Sequence, residues 1–252
     1  MKTTNIIIKA SRSLCGTGAL ALLLSASTVQ AAVSITGNFV GATAPTINNT
    51  YGTLEFALNM GGAPLTRDGI AFTTAGTTPG ATQNFLTSGG VGATINVVGV
   101  TQGGADWGTV GVGPLGSDPL FQTIAYGNSQ TSGYTIGVTG LDAGKSYQLQ
   151  FLFGDARTAW KYIATVSVSD NLSPTPNTAS TSALTYGGSA LGDEFAMLTA
   201  VVSGSTSFTF TAPRGTGSGS PGISGLVVHS VPEPSAALLG GLGLLALLRR
   251  RR

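Results

Sequence analysis

The chain predicts an all-β body, a two-sheet β-sandwich or jelly roll with one short helix, set between two apolar end segments that are each predicted helical. Two observations carry this. Glycine occurs 38 times in 252 residues and charged residues make up only 9%, which leaves too few Lys, Glu and Arg to build exposed helix faces. Short runs alternate apolar and polar residues, as in Tyr147-Gln-Leu149-Gln-Phe151-Leu-Phe153, where one face of a strand is core.

At the N-terminus, Lys2, Lys9 and Arg12 precede an apolar stretch from Leu14 to Ala26 and the small-residue site Val29-Gln30-Ala31. This is the layout of a secretory signal peptide, residues 1–31, cut between Ala31 and Ala32. The single cysteine, Cys15, lies inside that signal and ahead of most of its apolar stretch, so it is poorly placed for lipid attachment. The exported body is expected to hold no thiol, disulfide or cysteine-bound metal.

About two hundred residues follow, 32–230, enough for one well-cored domain. Strands are predicted at Thr53 to Asn59, Ile70 to Thr73, Ala93 to Val98, Tyr134 to Val138, Tyr147 to Phe153, Ile163 to Ser169, Phe195 to Val202, Ser205 to Thr211 and Ile223 to His229. Nine or more such strands suggest two sheets. In Leu141-Asp-Ala-Gly144-Lys-Ser-Tyr147 a glycine turn leads into a core strand, and the Tyr147 hydroxyl is expected to bond back to upstream backbone. Asp118-Pro119 is the one helix start in the body, because Asp can cap and Pro suits the first helical position; the helix should stop by Gly127. Asn171 to Ser182 and the Gly/Ser-rich stretch Arg214 to Gly222 are expected to be loops.

The chain closes with Val231-Pro-Glu-Pro-Ser235, an apolar run from Ala236 to Leu248, and Arg249 to Arg252. The run is shorter than the roughly 20 residues a spanning helix needs and contains Gly240, Gly241 and Gly243. Four arginines behind it favour a cytoplasmic C-terminus, with the body outside. A plain tail anchor or a C-terminal helix of the domain are the alternatives. With Pro232, Glu233 and Pro234 abutting the apolar run, residues 231–252 resemble the PEP-CTERM sorting signal of Gram-negative bacteria. The resemblance implies export through the secretion translocon, transient insertion in the inner membrane and cleavage by an exosortase-type transpeptidase. It also implies a final place at the cell surface, in the outer envelope or in an extracellular exopolysaccharide matrix.

Gly52-Thr-Leu-Glu-Phe-Ala-Leu-Asn59 with Asp68-Gly-Ile-Ala-Phe72, the Tyr147 corner with Phe153-Gly-Asp155-Ala-Arg157, and Gly225-Leu-Val-Val-His229 resemble galactose-binding-like jelly-roll domains. That resemblance implies a jelly roll and transfers no ligand residues. A pair of fibronectin type III domains is the runner-up, disfavoured by the lack of a central linker or a duplicated period.

Outside the end segments the basic residues are Arg67, Lys145, Arg157, Lys161 and Arg214, against Glu55, Glu194 and the aspartates. The body is mildly acidic and has no basic patch for a phosphate backbone, so nucleic acid is excluded as a partner. The only histidine, His229, has no second His and no GxSxG sequence to work with, which argues against a triad or a metal centre. It is read as structural or solvent-facing. Gly111-Val-Gly-Pro-Leu-Gly116 spells GxGxxG, but no βαβ unit accompanies it. No cofactor or metal is expected, since calcium in a loop would need an Asp-rich spacing that is missing.

Two functional classes remain. A secreted glycosidase or lyase needs two carboxylates across a cleft; Asp155 with Asp193, Glu194, Asp106 or Asp118 would have to supply them. Asp193 and Glu194, being adjacent, would face opposite ways if extended. The favoured class is a non-enzymatic structural or adhesive module. Trp107, Trp160 and Tyr162 are its candidate glycan contacts, as indole and phenol faces stack on sugar rings, with Asp155 and Arg157 as polar partners. Rings that simply cap the ends of the core are the competing reading.

Overall fold

The computed structural model describes residues 31–60, 62–75, 82–86, 92–98, 118–121, 124–126, 133–154, 161–182, 184–187, 195–213 and 222–231, together with Gly243 and Arg249. The fold is mostly β, built on several antiparallel or mixed sheets. A seven-stranded sheet has the order β1 (Ala32–Gly41), β14 (Phe195–Ser203), β9 (Ser146–Gly154), β17 (Gly225–Val231), β2 (Thr53–Met60), β4 (Ile70–Ala75) and β3 (Leu65–Arg67). All its neighbours are antiparallel except β2 and β4. A six-stranded sheet runs β12 (Thr178–Ser180), β11 (Ser167–Ser169), β15 (Ser207–Ala212), β8 (Tyr134–Thr139), β6 (Gly92–Val98) and β5 (Thr82–Leu86). Two short pairs complete the set, β10 (Tyr162–Ala164) with β13 (Leu184–Tyr186) and β16 (Gly222–Ile223) with β7 (Ala125–Tyr126).

Period-two patterning explains how the two large sheets meet. Phe151 and Phe153 of β9, Leu226 and Val228 of β17, and Leu198 and Ala200 of β14 turn inward and meet Ile136, Val138, Phe208 and Phe210 of the second sheet in one buried cluster. Phe151 stacks on Phe210 with centroids 4.2 Å apart and meets Phe208 edge-on at 6.4 Å. A second, smaller core lies on the outer face of the seven-stranded sheet, where Ala57, Leu152, Phe195 and Val227 are covered by Ile47, Ile70, Phe72, Leu120 and Phe121.

The expected corner forms: the Asp142 amide donates to the Tyr147 hydroxyl at 2.8 Å, and Gly144 N donates to Asp142 Oδ1 at 2.8 Å. The expected helix from Asp118 to Gly127 does not. Asp118 does cap, accepting from Leu120 N at 3.1 Å, but among the described residues only one 3-10 turn follows, Pro119–Phe121. So short a run is marginal as an isolated helix, and pairing of Ala125–Tyr126 with β16 wins instead. The run Ile163 to Ser169 divides into β10 and β11, which belong to different sheets. Ser224 separates β16 from β17, yet its backbone continues the ladder to Leu152 O and Met60 N. The stretch Asn171 to Ser182 holds β12, and β1 is an edge strand that the sequence reading omits.

Two ends of the seven-stranded sheet matter below. At one end Ala32 is level with Ser203, Ser203 with Ser146, and Ser146 with Val231. At the other, Gly41 is level with Phe195 and Phe195 with Gly154. Segment 42–52 connects β1 to β2 from the second end to the first. We call the first end proximal and the second distal.

Candidate functional site

The proximal end carries both junctions with the predicted end segments. β1 starts at Ala32, the residue after the expected signal cut, and β17 ends at Val231, the residue before Pro232. Between the two apolar runs and the strands stand only Ser27 to Ala31 and Pro232 to Ser235. The carbonyl of Ala31, which belongs to the bond expected to be cut, accepts from Asn177 Nδ2 at 3.1 Å. Asn177 is itself held by Asp170, which is 0% exposed. Asp170 Oδ1 accepts from Asn177 N at 2.9 Å and Leu172 N at 3.1 Å, and Oδ2 accepts from Asn177 Nδ2 at 2.6 Å. Ser205 Oγ closes the arrangement by donating to Asp170 O at 2.8 Å.

The distal end holds a cleft of about 450 Å³ on the outer face, lined by Ala42 to Ala44, Leu65 to Arg67, Asp118, Pro119 and Phe195. The residues before β4 place Arg67 there. Asp68 and Gly69, at φ 51° and 77°, form the two-residue turn between β3 and β4, the mirror-image geometry that Asp-Gly favours. Arg67 Nε then pairs with Asp118 Oδ2 at 2.9 Å, its Nη2 donates to Pro45 O at 2.7 Å, and its guanidinium lies 5.0 Å from the Phe121 ring centroid. Nη1 is buried and has no partner. Asp68 Oδ2 lies 4.0 Å from Arg67 Nε, so among the described residues this one cation stands against two carboxylates. It offers the hydroxyl-bearing Thr43 and Thr66 and the apolar Ala42 and Pro119, all exposed.

His229 is structural, and its placement is unusual. It is 1% exposed in β17, level with Gln148 of β9 and Leu54 of β2. Neither ring nitrogen has a hydrogen-bond partner, and Gln148 Oε1 also lacks one. Burial pulls the imidazole below its ordinary pKa of 6.5. The folded state therefore binds the proton less readily than the unfolded chain. Its contribution to the pH dependence is nil above 6.5, and stability falls as pH drops below that value, by at most about 1.4 kcal/mol per pH unit until the folded pKa is reached. Urea midpoints between pH 7 and 5 should thus fall more steeply for the wild-type body than for His229→Leu.

Of the predicted glycan contacts, Tyr162 is in the core and not at a solvent-facing edge. It is 2% exposed, with its hydroxyl donating to Pro213 O at 2.6 Å and its ring 5.2 Å from that of Tyr186. Burial raises its pKa, and the ring has no free face to offer a sugar. Trp107, Trp160, Asp155 and Arg157 lie outside the described residues, as do Asp106, Asp193, Glu194 and the motif Pro232 to Pro234. Segment 155–160 departs from Gly154, at the distal end. Asp118 is engaged by the Leu120 amide and by Arg67. Arg67 is the residue that sequence reading missed; the Asp68-Gly69 dipeptide beside it is the signal that could have found it.

No curated protein and no solved structure matches this chain. Residues 230–252 match the family profile of the PEP-CTERM protein-sorting motif. The end of β17 and everything beyond it thus carry the signal of an exported, cell-surface-anchored protein processed by an exosortase.

Proposed function

We propose that this protein is a non-enzymatic structural or adhesive module of a Gram-negative envelope or exopolysaccharide, held by its proximal end and presenting its distal end to glycan. The observation that carries the reading is the opposition of the two ends: β17 runs without a linker into the sorting motif, and the cleft around Arg67 lies at the far end of the same sheet. The cleft's chemistry supports a neutral polyhydroxylated ligand. Thr43 and Thr66 present exposed hydroxyls, and the exposed ring of Pro119 suits the carbon face of a sugar. Asp118 is occupied as a cap and an ion-pair partner, which weighs against its use as an acid or base.

Intact mass and location in the host test the sorting half. The wild-type chain should lose everything beyond the motif and reach the surface, whereas a variant with Pro232, Glu233 and Pro234 replaced by Ala should stay membrane-bound at full length. An intact wild-type tail would make this a simple anchored protein. For the binding half, Thr66→Tyr places a ring in the cleft from an exposed position. Retention on the host's own polysaccharide should drop about ten-fold, a loss of roughly 1.4 kcal/mol. Unchanged retention by Thr66→Tyr, Trp107→Ala and Trp160→Ala alike would end the glycan reading.

A further inference from the structure

We infer that the amine released on Ala32 by the signal cut is captured by the Asp170 carboxylate, so that processing itself closes the proximal end of the sandwich. The inference rests on the signal-peptide reading for the place of the cut; the site that receives the new end is in the structure. The Ala31 carbonyl accepts from Asn177 Nδ2 at 3.1 Å, and the same Nδ2 donates to Asp170 Oδ2 at 2.6 Å. One side-chain amide thus links the bond to be cut with a carboxylate. The Ala32 nitrogen is attached to the carbon that bears that carbonyl oxygen, about 2.2 Å from it by standard bond lengths.

Asp170 stands without a cation. It is 0% exposed, and a carboxylate so buried ordinarily has a positive group against it. Its oxygens are met instead by the neutral N–H groups of Leu172 and Asn177, and no Lys or Arg among the described residues pairs with it. Oδ1 takes two of those donors and Oδ2 one, which leaves Oδ2 with acceptor capacity. The strands packed against β1 are β11, β12, β13 and β14, and none contains a charged residue. Lys145 and Glu55, at the same end of the sheet, are paired with each other at 3.3 Å. Asp170 is therefore the carboxylate placed to receive a new positive charge.

Hydrolysis of the Ala31–Ala32 amide consumes one water, leaves a carboxylate on the departing Ala31 and frees the amine of Ala32, which is protonated below about pH 7.7–8.0. Asn177 Nδ2 loses its carbonyl acceptor in the same event. An ammonium with three donors then replaces a neutral amide, and one of its N–H groups donates to Oδ2 beside Asn177, giving the buried charge its counter-ion. Ala32 is the first residue of β1 and level with Ser203, while Ser205 Oγ holds Asp170 O at 2.8 Å. The captured end thus ties β1 to the loop between β11 and β12 and to the turn between β14 and β15. The uncut chain has an amide at this position, so the ion pair belongs to the processed protein alone. Capture raises the amine's pKa in the folded state; the stability it adds is complete below the unfolded value and is lost as pH rises through the folded one.

The test follows the Ala32 carbon resonances of isotope-labelled mature protein, purified from the host, against pH. The amine should titrate about one unit above the ordinary 7.7–8.0, a ten-fold tighter hold on its proton. Asp170→Asn should return it to the ordinary range. So should insertion of Gly-Ser between Ala32 and Val33, which leaves Asp170 and the cut site in place and moves the amine two residues away. A wild-type amine in the ordinary range, or a raised one that neither change lowers, overturns the capture while an intact mass beginning at Ala32 upholds the cut. A mass beginning at another residue overturns the position of the cut and the capture together.

Discussion

Replacing Phe151 with Ala should remove about 3–5 kcal/mol from the stability of the body. The side chain is fully buried, stacked at 4.2 Å on Phe210 and edge-on to Phe208. It is also the point where the two large sheets meet, so neither backbone can close the gap without disturbing its own ladder. Urea unfolding of the tail-free body measures the loss, and Phe210→Ala should cost a similar amount. The double variant should lose less than the sum, by about 0.5–1.5 kcal/mol of ring–ring coupling. Strict additivity would show that the rings contribute burial alone.

Asp170→Ala should cost about 3 kcal/mol, and for a different reason. Removing the carboxylate strands the amides of Leu172 and Asn177 and the Asn177 side chain, in a site where Asp170 is wholly buried. Unpaired buried donors cost about 1–3 kcal/mol each, discounted here because Asn177 can turn to water. Asp170→Asn keeps one acceptor and should lose about half as much. Hydrogen exchange at Leu172 and Asn177 should accelerate in both variants ahead of the rest of the body. If exchange rises evenly across the sheets instead, Asp170 supports the whole fold and not its proximal end.

How far the fold was legible depends on where its regularity breaks. The alternating Phe151-Leu-Phe153 and Phe208-Thr-Phe210 runs name the main core by their spacing alone, and the Leu141-to-Tyr147 corner is legible down to its hydrogen bond. β1 alternates without a break, Val33, Ile35, Gly37 and Phe39 being half-buried between exposed neighbours, so its period of two is readable and the sequence reading passes over it; the register shift between Ile35 and Gly37 changes only which core is met, with Phe39 in the outer cluster. The three-residue strands β3, β10, β11, β12 and β13 are too short for periodicity to mark them. The cleft is less legible still, because Arg67 and Asp118 are far apart in sequence and meet only through the turn at Asp68-Gly69 and the cap at Leu120. The sorting motif, a local address, needs no fold to be recognised.

The position of β17 has a consequence for the order of synthesis and export. The last strand to cross the membrane is not an edge; it slots between β9 and β2 and pairs with both. A chain threaded outward from its N-terminus therefore cannot close its main sheet until residue 231 has passed, and β9 and β2 wait with open edges. Ladders of such wide sequence separation form slowly. The arrangement makes that final strand the latch of the main sheet.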